Sequence, residues 1–418
     1  MLFVYNVSIK IYFFLVYLFS FFNQKAHLWI DGRKGLLKHI EDSNISGEVI
    51  WFHFASLGEF EQGRPVLEKL KTQHPQKKIV VTFFSPSGYE IRKNSPLADF
   101  VFYLPLDTAR NARKFINLIN PEIAIFTKYE YWYHYFKELN NRKTPLYIIS
   151  SIFREGQVFF KPYGGLHRKM LTFVSHFFVQ DVQSQLLLEK VDSRNVTVSG
   201  DTRFDRVFEN SKAPKHISIV ATFCKNSKTF IGGSTWPEDE KLISDAFIDL
   251  PDWKLVIAPH EISEEKIKNI ESLFKSGETL RYSKISETSG LGNSKVLIID
   301  NIGMLSSLYQ YGDIAFIGGG FGAGIHNTLE AAAFGLPVIF GPNYKKFREA
   351  KELIRIGAAF SVKSTQELKN VLQRLLDENQ RKECSDLAAE YVREHTGATD
   401  IIVSHINKRI NKELSGSF

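Results

Sequence analysis

The chain has 418 residues, 44% hydrophobic and 24% charged, and this length and composition suit two globular domains that each bury their own core. Its two cysteines, Cys224 and Cys384, are far apart and lack metal-ligand spacing, which argues against a disulfide scaffold or a zinc site and suits a reducing compartment. The net charge of +7 suits a surface that meets anionic lipid or phosphate, and it is also a common background value.

The N-terminal segment, residues 2–22, is apolar or aromatic over most of its length and carries one charge, Lys10. About 20 residues span a bilayer as a helix, so the segment is just long enough if Lys10 snorkels. A signal peptide fits poorly, because we find no basic leader before the apolar part and no small-residue cleavage site after it. The basic residues that follow are Lys25, His27, Arg33, Lys34 and Lys38. By the positive-inside tendency they place the body of the protein in the cytoplasm. We predict a membrane anchor over residues 1–24, with a buried N-terminal core helix as the alternative.

From Glu48 onward, short apolar runs alternate with polar helical stretches, which indicates βαβ units and mostly parallel sheets. The candidate strands of the first half are 49–54, 78–84, 100–103, 123–127, 146–150, 177–180 and 196–200. Those of the second half are 229–234, 253–259, 295–300, 313–319, 337–340 and 358–362. Consecutive amphipathic helices are expected from Gln366 to Glu413, with a break near Thr396.

These patterns predict an α/β protein with two doubly wound, Rossmann-like domains, residues 25–205 and 228–395. Residues 206–227 are polar and are interpreted as an irregular linker. A C-terminal helix within 396–418 could pack back on the first domain. Because ligands of such sheets bind outside the carboxyl ends of the strands, we expect a site in a cleft between the two domains.

A glycine-rich segment follows the candidate strand that ends near Ile317. Glycines at 318, 319, 320, 322 and 324 allow close approach of the backbone to a ligand and permit positive φ. The helix expected just beyond them would offer N–H groups and a positive dipole end to an anion. The segment therefore predicts a seat for a phosphate or nucleotide.

Two further groups of this half allow a functional and a structural interpretation. Asn327 and Glu330 have the spacing of a helix capping box, yet Glu330 could instead accept hydrogen bonds from a ribose diol. The small residues of GGST, 232–235, could cradle phosphate or could form an ordinary strand-to-helix turn capped by Ser234 or Thr235.

In the first half, the loop after the first candidate strand reads HFASLGEFEQGRP, residues 53–65. Gly58 permits a tight turn there, which places Glu59 in the first turn of a helix. A carboxylate at this position could act as a general base on a sugar hydroxyl, or could simply complement the helix dipole. Glu61 points to another side of the helix, so paired carboxylates are not predicted.

Three more residues follow candidate strands and could face the cleft: His260, Arg203 and Glu130. Each of these residue types is more often structural than ligand-binding when it stands alone. A strict dinucleotide fingerprint, a Walker loop, a nucleophile elbow and metal-binding His-Glu spacing are all missing from the sequence. The basic residues lack aromatic interleaving, which gives nucleic-acid binding no support.

Taken together, the ordered motifs resemble the 3-deoxy-D-manno-octulosonic acid (Kdo) transferases of lipopolysaccharide biosynthesis, glycosyltransferases of the GT-B fold. The resemblance covers nearly the whole chain. After the N-terminal anchor its motifs are GRKG (32–35), H-x-A-S-x-G-E (53–59), VTFFSPSGYE (81–90), LPLDT (104–108), GDTRFD (200–205), GGST (232–235), G-x-H-N-x-L-E (324–330) and GPNYKKF (341–347).

The resemblance implies an inverting transfer of Kdo from CMP-Kdo to a lipid A precursor, lipid IVA, at the cytoplasmic face of the inner membrane. It implies neither a cofactor nor a metal, and it makes 25–205 the acceptor-binding domain and 228–395 the CMP-sugar donor-binding domain. Glu59 matches the carboxylate that serves as general base. The donor-binding positions that it implies, with their glycine neighbours, are Gly232, Gly233, Ser234, His260, Gly318, Gly319, Gly324, Asn327 and Glu330. The acceptor or cleft positions are His53, Ser56, Glu130 and Arg203.

The chain departs from the family pattern in three places. Pro-Arg-His becomes Pro259-His260-Glu261, so the arginine expected near the donor phosphate is missing there. Lys128 replaces the first glutamate of Glu-x-Glu-x-Trp-Pro, and Arg203 replaces a lysine. Two alternatives therefore stay open: another GT-B enzyme that uses a UDP-sugar, as a transferase or an epimerase, and a non-catalytic scaffold tethered to the membrane.

Overall fold

The computed structural model describes residues 1–285 and 294–415. The chain divides into two compact units, which are described separately below. The first unit comprises Met1–Arg206 together with Thr396–Phe418, and the second comprises Val207–His395.

The first unit is built on a parallel sheet in which seven strands are described. They are β1 (Val49–Phe54), β2 (Lys78–Phe83), β3 (Phe100–Tyr103), β4 (Pro121–Thr127), β5 (Leu146–Ser151), β6 (His176–Val179) and β7 (Val196–Val198). Their order is β3-β2-β1-β4-β5-β6-β7. β1 lies near the middle and is buried along its whole length, as a strand covered on both faces requires. All candidate strands of the first half are confirmed, with small shifts at their ends.

The second unit is built on another parallel sheet, again with seven strands among the described residues. They are β8 (Lys228–Thr235), β9 (Trp253–Pro259), β10 (Thr279–Arg281), β11 (Val296–Ile298), β12 (Ile314–Ile317), β13 (Val338–Phe340) and β14 (Ala359–Ser361). Their order is β10-β11-β9-β8-β12-β13-β14. The candidate strands of this half are confirmed. β10 was missed because this short edge strand has no apolar run of its own.

Helices connect the strands on both faces of each sheet. In chain order they are α1 (Leu2–Phe19), α2 (Gln24–Asp31), α3 (Leu36–Asp42), α4 (Leu57–Gln73), α5 (Pro86–Arg92), α6 (Ala109–Ile119), α7 (Tyr133–Asn141), α8 (Gly165–Leu171), α9 (Val182–Glu189), α10 (Thr202–Lys212), α11 (Ser218–Cys224), α12 (Pro237–Phe247), α13 (Glu264–Ser272), α14 (Leu305–Leu308), α15 (Leu329–Ala333), α16 (Arg348–Arg355), α17 (Thr365–Leu376), α18 (Glu378–Glu394) and α19 (Ala398–Ser415). Short 3₁₀ turns cover Val158–Phe160, Tyr282–Lys284 and Tyr309–Tyr311. The doubly wound α/β class is confirmed, as are the helical tail and its break near Thr396.

The expectation that residues 206–227 are irregular is wrong. α10 continues to Lys212, and α11 lies between Ser218 and Cys224. Both helices place apolar residues at a spacing of three: Phe204 and Val207 are buried in α10, and Val220 and Phe223 in α11. The rest of the segment is mostly polar, so its sequence pattern did not reveal these two short amphipathic helices.

The last helix, α19, packs in the first unit although it follows the whole second unit in sequence. Its Ile402 and Ile406 are buried in the same core cluster as Phe60 and Val66 of α4. Asp205 holds the start of this helix, because its carboxylate accepts from the backbone N–H groups of Gly397 at 2.6 Å and Thr399 at 2.7 Å. Apolar burial and a charged cap together fasten α19.

Within the described residues, α1 is the helix that is long and apolar enough to cross a membrane by length and composition. Only 6% of its 18-residue apolar window is buried. A buried core helix, the alternative interpretation of this segment, is therefore not what the structure shows.

Candidate functional site

Glu59 lies at the carboxyl end of β1, in the first turn of α4. Ser56 is the N-cap residue, but its side chain makes no capping bond. The Glu59 carboxylate instead accepts from the backbone N–H of Ala55 at 2.6 Å. Burial and the nearby charge of Glu130 raise the pKa of Glu59 to about 7, although the bond from Ala55 and the charge of Lys128 oppose this shift. A half-buried carboxylate with a pKa near neutrality can take up a proton during a reaction.

Glu130 follows β4 and is held by two neighbours. Its Oε2 accepts from Trp132 Nε1 at 2.9 Å and lies 3.2 Å from His53 Nε2. The other ring nitrogen of His53 lies 2.9 Å from the hydroxyl of Thr82 on β2, which also accepts from Trp51 Nε1 at 2.8 Å. A hydrogen-bonded chain thus runs across β2, β1 and the end of β4.

His53 is fully buried in this chain. The sequence nominated His53 and Ser56 as acceptor or cleft residues together with Glu130. In the structure His53 has no exposed surface and reaches outward only through Glu130, whereas Ser56 and Glu130 are partly exposed. His53 is therefore placed to position Glu130 rather than to touch a ligand directly.

Two cations lie at the same edge of this sheet. Lys128 has a left-handed backbone, φ +59°, directly after β4. Its charge lowers the pKa of both Glu59 and Asp201, so it is close to both carboxylates. Arg203 donates from its backbone N at 3.0 Å and from Nε at 2.9 Å to Asp201. Burial would raise the pKa of Asp201, but Arg203 outweighs it and holds that pKa below its usual value. Lys128, a departure from the family pattern, is thus the cation that acts on Glu59.

In the second unit the glycine segment folds onto the end of β8. A Cβ on Gly318 would lie 2.2 Å from the carbonyl oxygen of Ser234, so a larger residue would clash with backbone. Gly319 has φ +90°, a conformation that favours glycine. Gly318 N donates to Gly233 O at 2.9 Å, and Gly324 N donates to Gly319 O at 3.2 Å.

Asp239, in the first turn of α12, fixes this loop from the side. Its Oδ2 accepts from the backbone N–H of Gly319 at 2.8 Å and from that of Trp236 at 2.9 Å. The amides of Gly318, Gly319, Gly322 and Gly324 therefore already have protein partners. The expectation that a row of these amides and a helix N-terminus hold an anion is not supported, since α15 is also only five residues long.

Asn327 and Glu330 do not form a capping box, which was one of the two interpretations of their spacing. Thr328 is the N-cap of α15 and makes no side-chain capping bond. Asn327 Nδ2 donates to Glu330 Oε1 at 3.1 Å, and Asn327 Oδ1 accepts from the N–H of Leu329 at 3.2 Å. The amide thus orients the carboxylate and also accepts from the first N–H of α15, and both side chains keep partly exposed surface.

A stack of three rings lies at the carboxyl edge of this sheet. His260, directly after β9, stacks on Trp236 with ring centroids 4.9 Å apart and on His326 at 4.2 Å. Trp236 Nε1 donates to His326 Nε2 at 3.0 Å. Burial, assisted by His260, lowers the pKa of His326 to about 4, so this imidazole is neutral at physiological pH. The sequence predicted His260 as a site residue but not Trp236 and His326. Both could have been predicted, because each follows the end of a strand.

The remaining donor candidates lie in and just after β8. Gly232 and Gly233 are buried in the strand, and a Cβ on Gly233 would lie 2.2 Å from Tyr309 Oη. Ser234 is left-handed, φ +51°, and lets the chain turn toward α12. These glycines serve packing, while Ser234 is the partly exposed member of the group. In the described part of the chain, no group of three or more His, Cys, Asp and Glu residues has the geometry of a metal site.

Solved structures with a similar fold define the class. A putative UDP-N-acetylglucosamine 2-epimerase from Listeria monocytogenes superposes with a TM-score of 0.59 at 13% identity, covering 88% of this chain and 98% of that one. A glycosyltransferase from Rickettsia africae superposes with a TM-score of 0.55 at 15% identity, covering 89% and 100%. At such identities the likeness concerns the fold alone, and that fold is GT-B.

Sequence relatives place the chain within this class. Residues 30–206 match the family model of 3-deoxy-D-manno-octulosonic-acid transferase (kdotransferase). A 3-deoxy-D-manno-octulosonic acid transferase of Chlamydophila psittaci is 28% identical, with 79% of this chain and 78% of the relative covered. That of Rickettsia bellii is 26% identical, with 90% of each covered. The chain is a glycosyltransferase that is similar to the Kdo transferases.

One relative is longer and carries a second activity in its name. A bifunctional glycosyltransferase/methyltransferase of Fusobacterium nucleatum is 26% identical over 80% of this chain. The chain spans 54% of the length of that relative.

Proposed function

We propose that this protein transfers Kdo from CMP-Kdo to a lipid A precursor, lipid IVA, with inversion at the anomeric carbon and with Glu59 as the general base. The family match and the Kdo transferase relatives support the reaction class. The observation that carries the assignment of the base is the setting of Glu59, whose pKa is raised to about 7 by burial and by Glu130.

In the proposed step, Glu59 takes the proton of an acceptor hydroxyl as that oxygen bonds to the anomeric carbon of Kdo. The bond from this carbon to the CMP phosphate breaks at the same time, and CMP leaves with the bonding electrons. A base with a pKa near the working pH is strong enough to accept the proton and is still largely available in its charged form. Attack from the face opposite to the leaving group inverts the centre.

Glu130 and Lys128 shift the pKa of Glu59 in opposite directions. The Glu130 charge raises the pKa of Glu59, and the Lys128 charge lowers it. His53 and Trp132 hold Glu130 by its Oε2, which restrains the position of this carboxylate. We expect Glu130 and Arg203 to meet the acceptor, as polar groups at the same sheet edge with partly exposed side chains.

Donor binding is assigned to groups of the second unit. The ring stack of Trp236, His260 and His326 offers a flat surface on which a pyrimidine base can stack. Glu330, oriented by Asn327, supplies a carboxylate for a ribose diol. His260, exposed at the edge of the stack, stands where the family pattern has an arginine beside the phosphate.

The proposal assigns the acceptor to residues 25–205 and the donor to 228–395, with 206–227 as the connection and 396–418 as the returning helix. α1 attaches the protein to the inner membrane at its cytoplasmic face. Its apolar length and its exposure support this assignment, as do the basic residues that follow it.

The direct test is incubation of the full-length protein with CMP-Kdo and lipid IVA, followed by mass spectrometry. The expected product is the acceptor increased in mass by Kdo, with release of CMP. Calorimetry with CMP and UDP provides the second arm. Preference for UDP would favour a UDP-sugar enzyme, and binding of neither nucleotide would favour a non-catalytic scaffold; either result contradicts the proposal.

A further inference from the structure

α1 lies along the first unit rather than projecting from it. Residues on one stripe of the helix are only partly exposed: Leu2, Tyr5, Ile9 and Val16. Leu2 and Tyr5 pack against the core of the unit. Tyr12 continues this stripe and packs edge-on against Trp29 with ring centroids 5.8 Å apart. A spacing of three and four residues is that of one helix face. Contacts of α1 with the rest of the unit therefore run from its beginning to Tyr12 and Phe13, past the middle of the helix.

Polar bonds fasten the first half of this stripe. The Tyr5 hydroxyl donates to Asp107 Oδ2, and the same carboxylate accepts from the backbone N–H groups of His134 at 3.1 Å and Tyr135 at 3.2 Å. Asp107 is buried and holds the start of α7. One residue further along α1, Asn6 Oδ1 accepts from His134 Nε2 at 2.7 Å. These bonds join α1 to the interior of the unit.

The rest of α1 exposes large apolar side chains. Phe3 is 78% exposed, Phe14 58% and Phe19 64%. A helix that is apolar on all sides, and covered along one stripe only, needs an apolar environment for its remaining faces.

Charge and shape around the outer faces point to lipid as that environment. Lys10 is exposed halfway along α1, and Lys25, Lys34 and Lys38 are exposed just beyond its end. Beside Phe13, a groove of about 440 Å³ is lined mainly by apolar side chains such as Leu37 and Leu106, and Lys38 also contributes to its wall. Apolar surface flanked by cations suits the boundary between headgroups and acyl chains of an anionic membrane.

We propose that α1 lies in the plane of the membrane surface, with its outer faces among the lipid acyl chains and its inner stripe docked on the first unit, and that it does not cross the bilayer. A spanning α1, about 27 Å long, would place Lys10 near the bilayer centre. It would also have to break the bonds of Tyr5 and Asn6 or carry Asp107 and His134 into hydrocarbon.

The inference rests on the membrane attachment in the proposed function and on no part of its chemistry. The test is protease access to two short epitope tags on the full-length protein, one at each end, in inverted inner-membrane vesicles and in spheroplasts. An in-plane helix leaves both tags on the same side: both are cleaved in inverted vesicles, and both survive in spheroplasts. Cleavage of the N-terminal tag alone in spheroplasts shows a spanning helix and overturns the inference.

Flotation with vesicles of phosphatidylglycerol and phosphatidylethanolamine tests the lipid partner. Replacing Phe3 and Phe14 by Glu should lower the bound fraction at least tenfold, whereas Ile248→Glu, at a 76% exposed position of the second unit, should leave it unchanged. The inference is overturned if the double Glu variant and Ile248→Glu lose the same share of vesicle binding. It is also overturned if the unaltered protein forms a soluble dimer without detergent and binds no vesicles. Loss of flotation in the unaltered protein would also overturn the membrane attachment, and Kdo transfer measured in detergent would show whether the chemistry stands.

The docking is tested separately with Tyr5→Phe combined with Asn6→Leu, which removes both polar bonds and keeps the apolar character of α1. A docked helix should become sensitive to protease within residues 1–24 in detergent, where the unaltered protein resists. The matched control is Tyr17→Phe, because Tyr17 packs on Phe21 of its own segment. Equal resistance of all three proteins contradicts the docking.

Discussion

At the carboxyl edge of the first sheet the candidate functional groups are charged, whereas at the same edge of the second sheet they are aromatic rings, imidazoles and tightly packed glycines. Glu59 is surrounded by Glu130 and Lys128, and its pKa is balanced near neutrality. His326 lies in a ring stack, where burial, assisted by His260, lowers its pKa to about 4 and keeps it neutral. One edge is thus suited to moving a proton and the other to holding a flat ligand.

The difference also shows how each edge is made rigid. In the first unit a series of side-chain hydrogen bonds runs from Thr82 through His53 to Glu130 and crosses several strands. In the second unit Asp239 binds the backbone of Gly319, so the loop itself is the rigid part. Titrating groups need polar neighbours that set their charge, while a binding surface needs a fixed backbone.

Removing the proposed base, Glu59, is the strongest test of the difference between the two sheet edges. Glu59→Gln keeps the size of the side chain and removes its basicity, so Kdo transfer should fall about 10²- to 10⁴-fold. CMP affinity, measured by calorimetry, should change less than about twofold, since donor binding is assigned to the second unit. The matched control, Glu61→Gln, changes a carboxylate of the same helix that pairs with Arg92, and its turnover should stay near normal. Near-normal transfer by Glu59→Gln would remove Glu59 from the role of base.

Removing the largest ring of the stack should act on binding instead. Trp236→Ala is expected to weaken CMP binding about tenfold, because stacking of one base contributes roughly 1–3 kcal/mol. Trp132→Ala, at the edge of the first sheet, should leave CMP affinity unchanged and lower turnover through Glu130. If both tryptophan variants weaken CMP binding equally, the division of labour between the two edges is wrong.

Glu330→Gln should produce a smaller loss, about three- to tenfold in CMP affinity, because one charge-assisted hydrogen bond to the ribose becomes a neutral one. The thermal unfolding temperature should hardly change, since Glu330 is partly exposed and the N-cap residue of α15 is Thr328. A large fall in that temperature with unchanged CMP affinity would assign Glu330 a structural role.

The smallest effects concern pH and have opposite signs. Glu59 accepts a proton only when deprotonated, so transfer should rise with pH through about 7, the value to which burial and Glu130 raise the pKa of Glu59. Glu130→Gln removes a like charge and should move this rise to lower pH, whereas Lys128→Met removes an opposite charge and should move it to higher pH. Each shift should be about one pH unit or less. Shifts of the same sign in both variants would show that another group controls the profile.

Sequence periodicity and turn chemistry determined much of this protein. Apolar runs separated by helical stretches predicted the parallel strands, because burial on both faces of a sheet leaves a local signature. The turn after β1 placed Glu59 at a helix start, and ordered motifs indicated the family. These inferences need only residues that are close together in the chain.

Tertiary structure alone decided which residues meet. His53 and Glu130 are 77 positions apart and touch because β4 lies beside β1 in the sheet. The stack of Trp236, His260 and His326 joins three strand ends in the same way, and the Asp239 bond converts the expected anion seat into an internally bonded loop. The stripe that docks α1 is equally invisible in a segment that is apolar on every side. Strand order and partner choice depend on contacts between distant residues, which local patterns do not encode.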